Sequence, residues 1–465
     1  MAPVSLTLTA QDYRALQAHL FPDDGNEAVA IGLCGRAQGL TRHRLLLRKL
    51  FLIPHESCSV RAPDRVTWPT ELIVPLLQEA AAKGMAIVKI HGHRGYDQFS
   101  WVDDISDRAL FPSVAAWVDD DQPHGSAILM DDGRIFGRVV SEAGDFTPFE
   151  QVNVVADDLL FWYATADAAV LPAGLRIAQS FGEGTYQKLR RLRIGVVGCS
   201  GTGSVVVEEL ARNCVGHLTI IDPDVVEEKN LNRILNTTSE DARQKRSKAE
   251  IAARSIEALD LGTAVRPVKD NLFSPAAIRM IAECDIVFGC VDTVDGRHLL
   301  NRLATFYLLP YFDLGVKLEA DGQGGVDQVC GTVHYLQPGG SSLLSRGVYT
   351  LEQVRAAGLK RSNPDAYRAL LDEGYIKGVA EDRPAVIQLN GLIASLAINE
   401  LLARLHPYRI DPNGDYAIHR ISLSHGIYEY EPDGAPCETL RKHVGRGDIV
   451  PLLEMPELSI DEDAA

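Results

Sequence analysis

The rhythm of apolar and polar positions changes along the chain. Over residues 4–155, helix-period and strand-period stretches are mixed. A helical repeat at 11–20 precedes apolar strand-like runs at 28–33 and 44–53. A second helical stretch at 70–83 leads into a strand ending near residue 93. Alternating runs at 125–130 and 134–140 flank Asp131-Asp132-Gly133, a good hairpin turn. Residues 1–155 are therefore expected to form an α+β domain. Residues 156–190 read as a mostly helical connector. From residue 191 onward, strands at 194–197, 218–221, 264–268 and 286–290 alternate with helices at 204–213, 247–258, 276–282 and 296–307. That alternation predicts an α/β domain, a Rossmann-like doubly wound sheet over 191–465 with helices on both faces. A lid or insertion helix is expected at 364–376. The nearly all-round apolar stretch 383–402 is expected as a buried helix at a homodimer seam.

The chemistry concentrates first at Ile194–Ser204, a short strand running into Gly198-Cys199-Ser200-Gly201-Thr202-Gly203. Such a turn brings backbone N–H groups to a phosphate, and the helix that follows adds positive potential. Ser200 stands where the usual fingerprint has its middle glycine, so the turn alone is a weak signal. The next strand ends in Asp222, where doubly wound sheets place a ribose ligand. Behind it come Asp224, Asn230 and Arg233. Arg233 and Lys248 taken singly read as surface charges, and Asp292 alone could cap the following helix. Together they resemble the E1-like adenylyltransferases, the family of the ubiquitin activators and their sulfur-carrier and ThiF-type relatives. The resemblance covers roughly residues 175–448. It implies ribose binding by Asp222, and nucleotide and outer-phosphate contacts by Asn230 and Arg233. It also implies neutralisation of the triphosphate of ATP by Lys248 and Mg²⁺ binding by Asp292. Arg176 matches the family's arginine that reaches into the partner subunit's site.

A second constellation lies upstream. His91 and His93, at i and i+2 on a strand, point to one face. With one carboxylate they make a three-ligand zinc site that leaves a position for water, and Glu27 could take the proton from that water. Ser100 and Asp103 follow at Ser-x-x-Asp spacing. This pattern resembles the JAMM (JAB/MPN) isopeptidases. The resemblance implies Zn²⁺ on His91, His93 and Asp103, Glu27 as general base, and Ser100 at the oxyanion. Arg94 replaces the family's proline and the spacer before Ser100 is one residue short. Asp104 is thus an alternative ligand, although Asp103 keeps the spacing.

Composition narrows the partners. The chain has 465 residues and a net charge of −17, with no basic stripe, which argues against nucleic acid. No uncharged run reaches membrane-spanning length, and no leader-like segment opens the chain. Eight scattered cysteines suit a reducing cytoplasm. No pair of Cys-x-x-Cys motifs is present, so no structural zinc is expected in the second domain. No cysteine stands where family members form a thioester; Cys437 is the one downstream candidate. The two resemblances imply one substrate class, a ubiquitin-like or sulfur-carrier protein with a C-terminal glycine, with an E2-like protein as a possible further partner. Rival readings are an adenylyltransferase for another carboxylate with a non-catalytic first domain, a dinucleotide oxidoreductase, and a non-catalytic scaffold.

Overall fold

The computed structural model describes residues 2–321, 323, 325–372 and 386–459. They form two compact units. One runs to Asp167 and includes Phe306–Leu308 and His443–Leu453; the other comprises Ala168–Thr305, Leu309–Lys442 and the residues from Glu454.

The first unit contains β1 (Val4–Thr9), α1 (Ala10–Leu20), β2 (Val29–Gln38), β3 (His43–Leu52), the small ribbon β4 (Val60–Ala62) and β5 (Arg65–Thr67), α2 (Val74–Lys83), β6 (Ala86–His93), α3 (Trp101–Val118), β7 (His124–Met130), β8 (Ile135–Val140), β9 (Phe146–Pro148), β10 (Gln151–Val155) and β11 (Leu160–Tyr163). Nine strands make one mixed sheet in the order β11-β10-β1-β3-β2-β6-β7-β8-β9. Alternation along the central strands supplies a core on each face. Ala30, Cys34, Val88 and Ile90 meet Leu16 and Leu20 of α1. Val29, Ile31, Leu33 and Ile87 meet Leu76 and Leu77 of α2 and Phe111 and Val114 of α3.

Two features depart from the sequence boundaries. Residues 156–190 are expected as mostly helical, yet they open with β11, antiparallel to β10. Leu160-Phe161-Trp162-Tyr163 is a run of good strand formers, and pairing overrides the helical reading. Residues 443–453, assigned by sequence to the second domain, belong to the first unit. There the Asp448 backbone N–H donates to the Arg36 carbonyl at 2.7 Å, and the Gln38 N–H donates to Asp448 Oδ2 at 2.7 Å.

The second unit contains α4 (Leu175–Phe181), α5 (Glu183–Arg191), β12 (Arg193–Val197), α6 (Gly201–Arg212), β13 (His217–Ile221), α7 (Ser239–Arg243), α8 (Lys248–Leu259), β14 (Ala264–Val268), α9 (Pro275–Ala282), β15 (Ile286–Gly289), α10 (Val294–Phe306), β16 (Tyr311–Ala320), β17 (Val326–Leu336), α11 (Leu351–Ser362), α12 (Pro364–Asp372), α13 (Ile387–Leu405), β18 (Ile418–Ser422) and β19 (Ile427–Glu431). The eight-stranded sheet has the order β14-β13-β12-β15-β16-β17-β18-β19. Strands β12 to β16 run parallel, and β17, β18 and β19 extend the sheet antiparallel. The order reverses between β12 and β15, which opens a crevice beyond their carboxyl ends. The apolarity of α13 is used within its own unit, where it packs on α6, β16 and β17. Residues 373–376 of the expected lid helix, and 383–385 of the long helix, lie outside the described residues. No described helix is long and apolar enough to cross a membrane.

Candidate functional site

The first candidate site grows from the end of β12. Gly198 follows it with φ +89°, and a Cβ there would stand 2.7 Å from the Cys290 carbonyl oxygen. A Cβ on Gly203 would stand 1.8 Å from the Gly198 carbonyl oxygen. Glycine at both positions lets α6 seat directly on the turn. Ser200 precedes α6, but its side chain does not cap the helix. The first N–H groups of α6 therefore face the crevice without a side-chain acceptor from Ser200.

Asp222 lies just past β13 and is buried. Its Oδ2 accepts the Cys199 N–H at 2.6 Å and its Oδ1 accepts the Asp224 N–H at 2.9 Å. These bonds fix the carboxylate beside the glycine turn and leave lone pairs for a diol. Burial raises its pKa, against the lowering effect of Lys248 and the two N–H donors. Lys248 opens α8. Its backbone N–H donates to the Asp224 carbonyl at 3.1 Å, and its ammonium donates to Asp224 Oδ2 at 2.8 Å. Asn230 is buried, and its Oδ1 accepts the Glu227 N–H at 3.0 Å, closing a short turn. Arg233 donates to the Lys229 carbonyl at 2.6 Å and to Asn232 Oδ1 at 3.3 Å. Its Cδ comes within 3.5 Å of the point where a Cβ on Gly201 would stand.

Asp292 is exposed beyond β15 and makes no hydrogen bond among the described residues. The capping position of α10 is taken by Thr293, whose Oγ1 accepts the Gly296 N–H at 3.3 Å. Asp292 is thereby left as a hard oxygen donor, the ligand type Mg²⁺ takes. Arg176 is exposed on α4, and its guanidinium donates to Gln179 at 3.1 Å, not to a residue of the glycine turn. Cys437 is buried, as are Cys199 and Cys284. Burial pushes the Cys199 and Cys290 thiols up, so they suit packing better than nucleophilic work.

Sequence reasoning missed Asn390, the carboxamide on α13 that lies over Gly201. Its signal was a carboxamide at the start of a helix rich in Leu, Ile and Ala, close to a second one at Gln388.

The second candidate site lies in the first unit. His91 and His93 end β6 on the face covered by α2 and α3. Ser100 caps α3: its Oγ accepts the Asp103 N–H at 3.2 Å, and its own N–H donates to Asp103 Oδ2 at 2.6 Å. This reciprocal box fixes Asp103 in the first turn. His91 Nε2 lies 2.9 Å from Asp103 Oδ1, and His93 Nε2 lies 3.6 Å from Oδ2. The two Nε2 atoms are 3.1 Å apart. Asp104 goes elsewhere, accepting from Arg138 at 2.6 Å. Arg138 also donates to buried Asp107 at 2.7 Å, which ties α3 to β8. Sequence reasoning missed this clamp, whose signal was Asp104 and Asp107 one turn apart.

The donor set fits a metal ion. His93 Nδ1 lies 3.0 Å from the Tyr96 carbonyl. A carbonyl only accepts, so the neutral ring carries its proton on Nδ1 and turns the Nε2 lone pair to the cluster. Burial lowers the His91 pKa and favours the neutral ring, against the pull of Asp103. Burial would raise Asp103, but the hydrogen bond and charge of His91 hold it below the usual carboxylate range. Glu27 stands two residues before β2, whose register pairs Val29 with His91. Its carboxyl is pushed up to about 8 by burial, then by the charges of Asp103 and Asp64.

Residues 174–425 match the sequence model of the ThiF family. The chain is 33% identical over 147 residues to the adenylyltransferase and sulfurtransferase UBA4 of Yarrowia lipolytica, covering 32% of this chain and 36% of that protein. It is 24% identical over 244 residues to ubiquitin-like modifier-activating enzyme 5 of Aedes aegypti, covering 49% and 59%. The match thus spans less than two thirds of either relative. Among solved structures, E. coli MccB with MccA-N7isoASN aligns with a TM-score of 0.46 and 18% identity, over 58% of this chain and 75% of that one.

Proposed function

The chain belongs to the ThiF family, and on that premise we propose that its second unit adenylates a carboxylate with ATP. The observation that carries this reading is the meeting of the glycine turn, buried Asp222 and the Lys248–Asp224 pair at the strand-order reversal. In the proposed reaction a carboxylate oxygen attacks the α-phosphorus. The bond to the bridging oxygen breaks, and pyrophosphate leaves with the electron pair. Asp222 orients the ribose. Arg233, Lys248 and the first N–H groups of α6 balance the charge that builds on pyrophosphate. Asp292 would hold Mg²⁺, which would neutralise further phosphate charge when bound. Arg176 would act from a partner subunit of a homodimer.

The substrate we propose is the C-terminal glycine of a ubiquitin-like or sulfur-carrier protein. By their names, UBA4 is an adenylyltransferase and sulfurtransferase and the second relative is an activating enzyme for a ubiquitin-like modifier, which supports this reading. Pyrophosphate exchange with small proteins ending in glycine tests it. Exchange should vanish when the last residue of the partner is deleted. Equal exchange with the truncated partner would point instead to another carboxylate, peptide or small molecule.

A second reading rests on the convergence of His91, His93 and Asp103, whose ligand atoms lie within 4.8 Å of one another. We infer that the first unit hydrolyses the bond after the same C-terminal glycine. Zinc on these three side chains would supply a bound water with a pKa of roughly 7. Glu27 would accept a proton and return it to the leaving amine, and the Ser100 hydroxyl would donate to the oxyanion. Elemental analysis of metal content in wild type and His91→Ala tests this. Equal zinc in the two, or none in wild type after exposure to zinc, would leave the first unit a binding module.

A further inference from the structure

The start of α6 carries a feature beyond the glycine turn. Asn390, on α13, is 1% exposed and lies directly over Gly201. Its Nδ2 sits 2.1 Å from the point where a Cβ on Gly201 would stand. Any side chain there would collide with the carboxamide, so glycine at 201 makes room for Asn390 as well as for the turn. The Thr202 hydroxyl donates to Asn390 Oδ1 at 3.2 Å, which orients the amide. That leaves Nδ2 buried without a hydrogen-bond partner. Buried amide donors are almost always satisfied, and an exception calls for a ligand.

The surroundings identify the missing acceptor. Ser200 provides no cap, so the first N–H groups of α6 lack its side chain as an acceptor. The side chain of Arg233 approaches the same point, with Cδ at 3.5 Å. Backbone donors and one amide donor thus lie at the start of α6, and the Arg233 side chain passes beside them with its guanidinium on the Lys229 carbonyl. Their common partner is an anion with several oxygens, and the helix dipole favours it further.

We propose that Asn390 is a nucleotide-binding residue, whose Nδ2 donates to a phosphate of ATP seated at the start of α6. This rests on the adenylation reading above. It adds a donor from the far end of the chain to a site otherwise built from residues 198–292. It also gives α13 a role in selecting a phosphorylated ligand over a bare nucleoside.

The test is titration calorimetry of the full chain with Mg-ATP and, separately, with adenosine. Asn390→Ala should weaken ATP about tenfold and leave adenosine unchanged. Asn390→Asp places a carboxylate against the phosphate and should weaken ATP about a hundredfold or more. If Asn390→Ala does not fold, Thr202→Val frees the amide without removing it and should give a smaller loss, again confined to ATP. Wild-type ATP affinity in Asn390→Asp would overturn the inference, because the oxygen would then be the atom facing α6. Parallel losses for ATP and adenosine would also overturn it, since the residue would then act through the fold. Failure of the wild-type protein to bind ATP at all would sink the adenylation reading, and this inference with it.

Discussion

The ammonium of Lys248 lies 2.8 Å from Asp224 Oδ2, and the two residues differ sharply in exposure: the Lys248 side chain is 8% exposed and that of Asp224 65%. The carboxylate can turn into solvent, whereas the lysine is held at the crevice. A triphosphate arriving there can displace Asp224 and keep the cation. Lys248→Ala should therefore lower the rate of pyrophosphate exchange by about 10²- to 10³-fold with little change in Tm. Asp224→Asn should change stability by less than about 1 kcal/mol, as expected for a half-exposed pair. Comparable exchange in Lys248→Ala and wild type would show that the lysine does not meet the phosphates.

Asp103 and Asp104 are adjacent but have different partners, and metal content should separate them. Asp103→Ala removes the carboxylate between His91 and His93 and should abolish zinc uptake. Asp104→Asn disturbs only contacts with Arg138 and Arg108 and should keep stoichiometric zinc. Elemental analysis of both proteins decides, and the reverse pattern would move the site by one residue.

Glu400 is fully buried against Arg404, Arg409 and His419. Burial alone would raise its pKa, but the hydrogen bond from His419 and the two arginines bring it down to about 2. The unfolded chain then binds the proton first. The contribution of this group is complete above the unfolded value, near 4.5, and is lost as pH falls from there toward about 2. The loss should be on the order of 3 kcal/mol, read from denaturant midpoints across that window. Glu400→Gln should flatten the acid limb. It should also cost about 3–5 kcal/mol at neutral pH, because the buried Arg404 loses its counter-charge.

Two glycines should answer oppositely to alanine. At Gly203 a Cβ would meet the Gly198 carbonyl oxygen at 1.8 Å, so Gly203→Ala must push α6 off the turn. It should cost about 1–3 kcal/mol and weaken ATP binding. At Gly358, inside α11, nothing lies within 4 Å of the Cβ position. Gly358→Ala should stabilise the protein by roughly 0.5–1 kcal/mol through helix propensity. Thermal melts of both variants check the contrast.

What the sequence disclosed follows from burial. Strands β12, β13 and β15 are covered on both faces, so they read as short apolar runs between helices, and the parallel sheet was legible from them. Asp222, Gly198 and Gly203 were legible because a strand end and a turn leave a local mark. The Ser-x-x-Asp spacing pointed to Asp103 over Asp104, and in the structure Ser100 and Asp103 are neighbours on one helical turn. Long-range placement left no such mark. Residues 443–453 carry no periodicity, and their place beside β2 depends on backbone bonds such as that from the Asp448 N–H to Arg36. Asn390 is distant in sequence from Gly201, and nothing in an apolar helix says which face meets a turn 189 residues earlier. The strand β11 was obscured because its strand-forming run is only four residues long, beside a mostly helical stretch, and shows itself only in pairing with β10.

The most direct test of adenylation is exchange of labelled pyrophosphate into ATP by wild type and by Asp292→Ala. Asp292 is exposed and makes no hydrogen bond among the described residues, so its removal should leave the Tm unchanged. With Mg²⁺ and a small protein ending in glycine, wild type should exchange label and Asp292→Ala should fall to background. Exchange by Asp292→Ala at the wild-type rate would contradict the assignment of the metal-binding carboxylate, and with it the account of how this crevice activates its substrate.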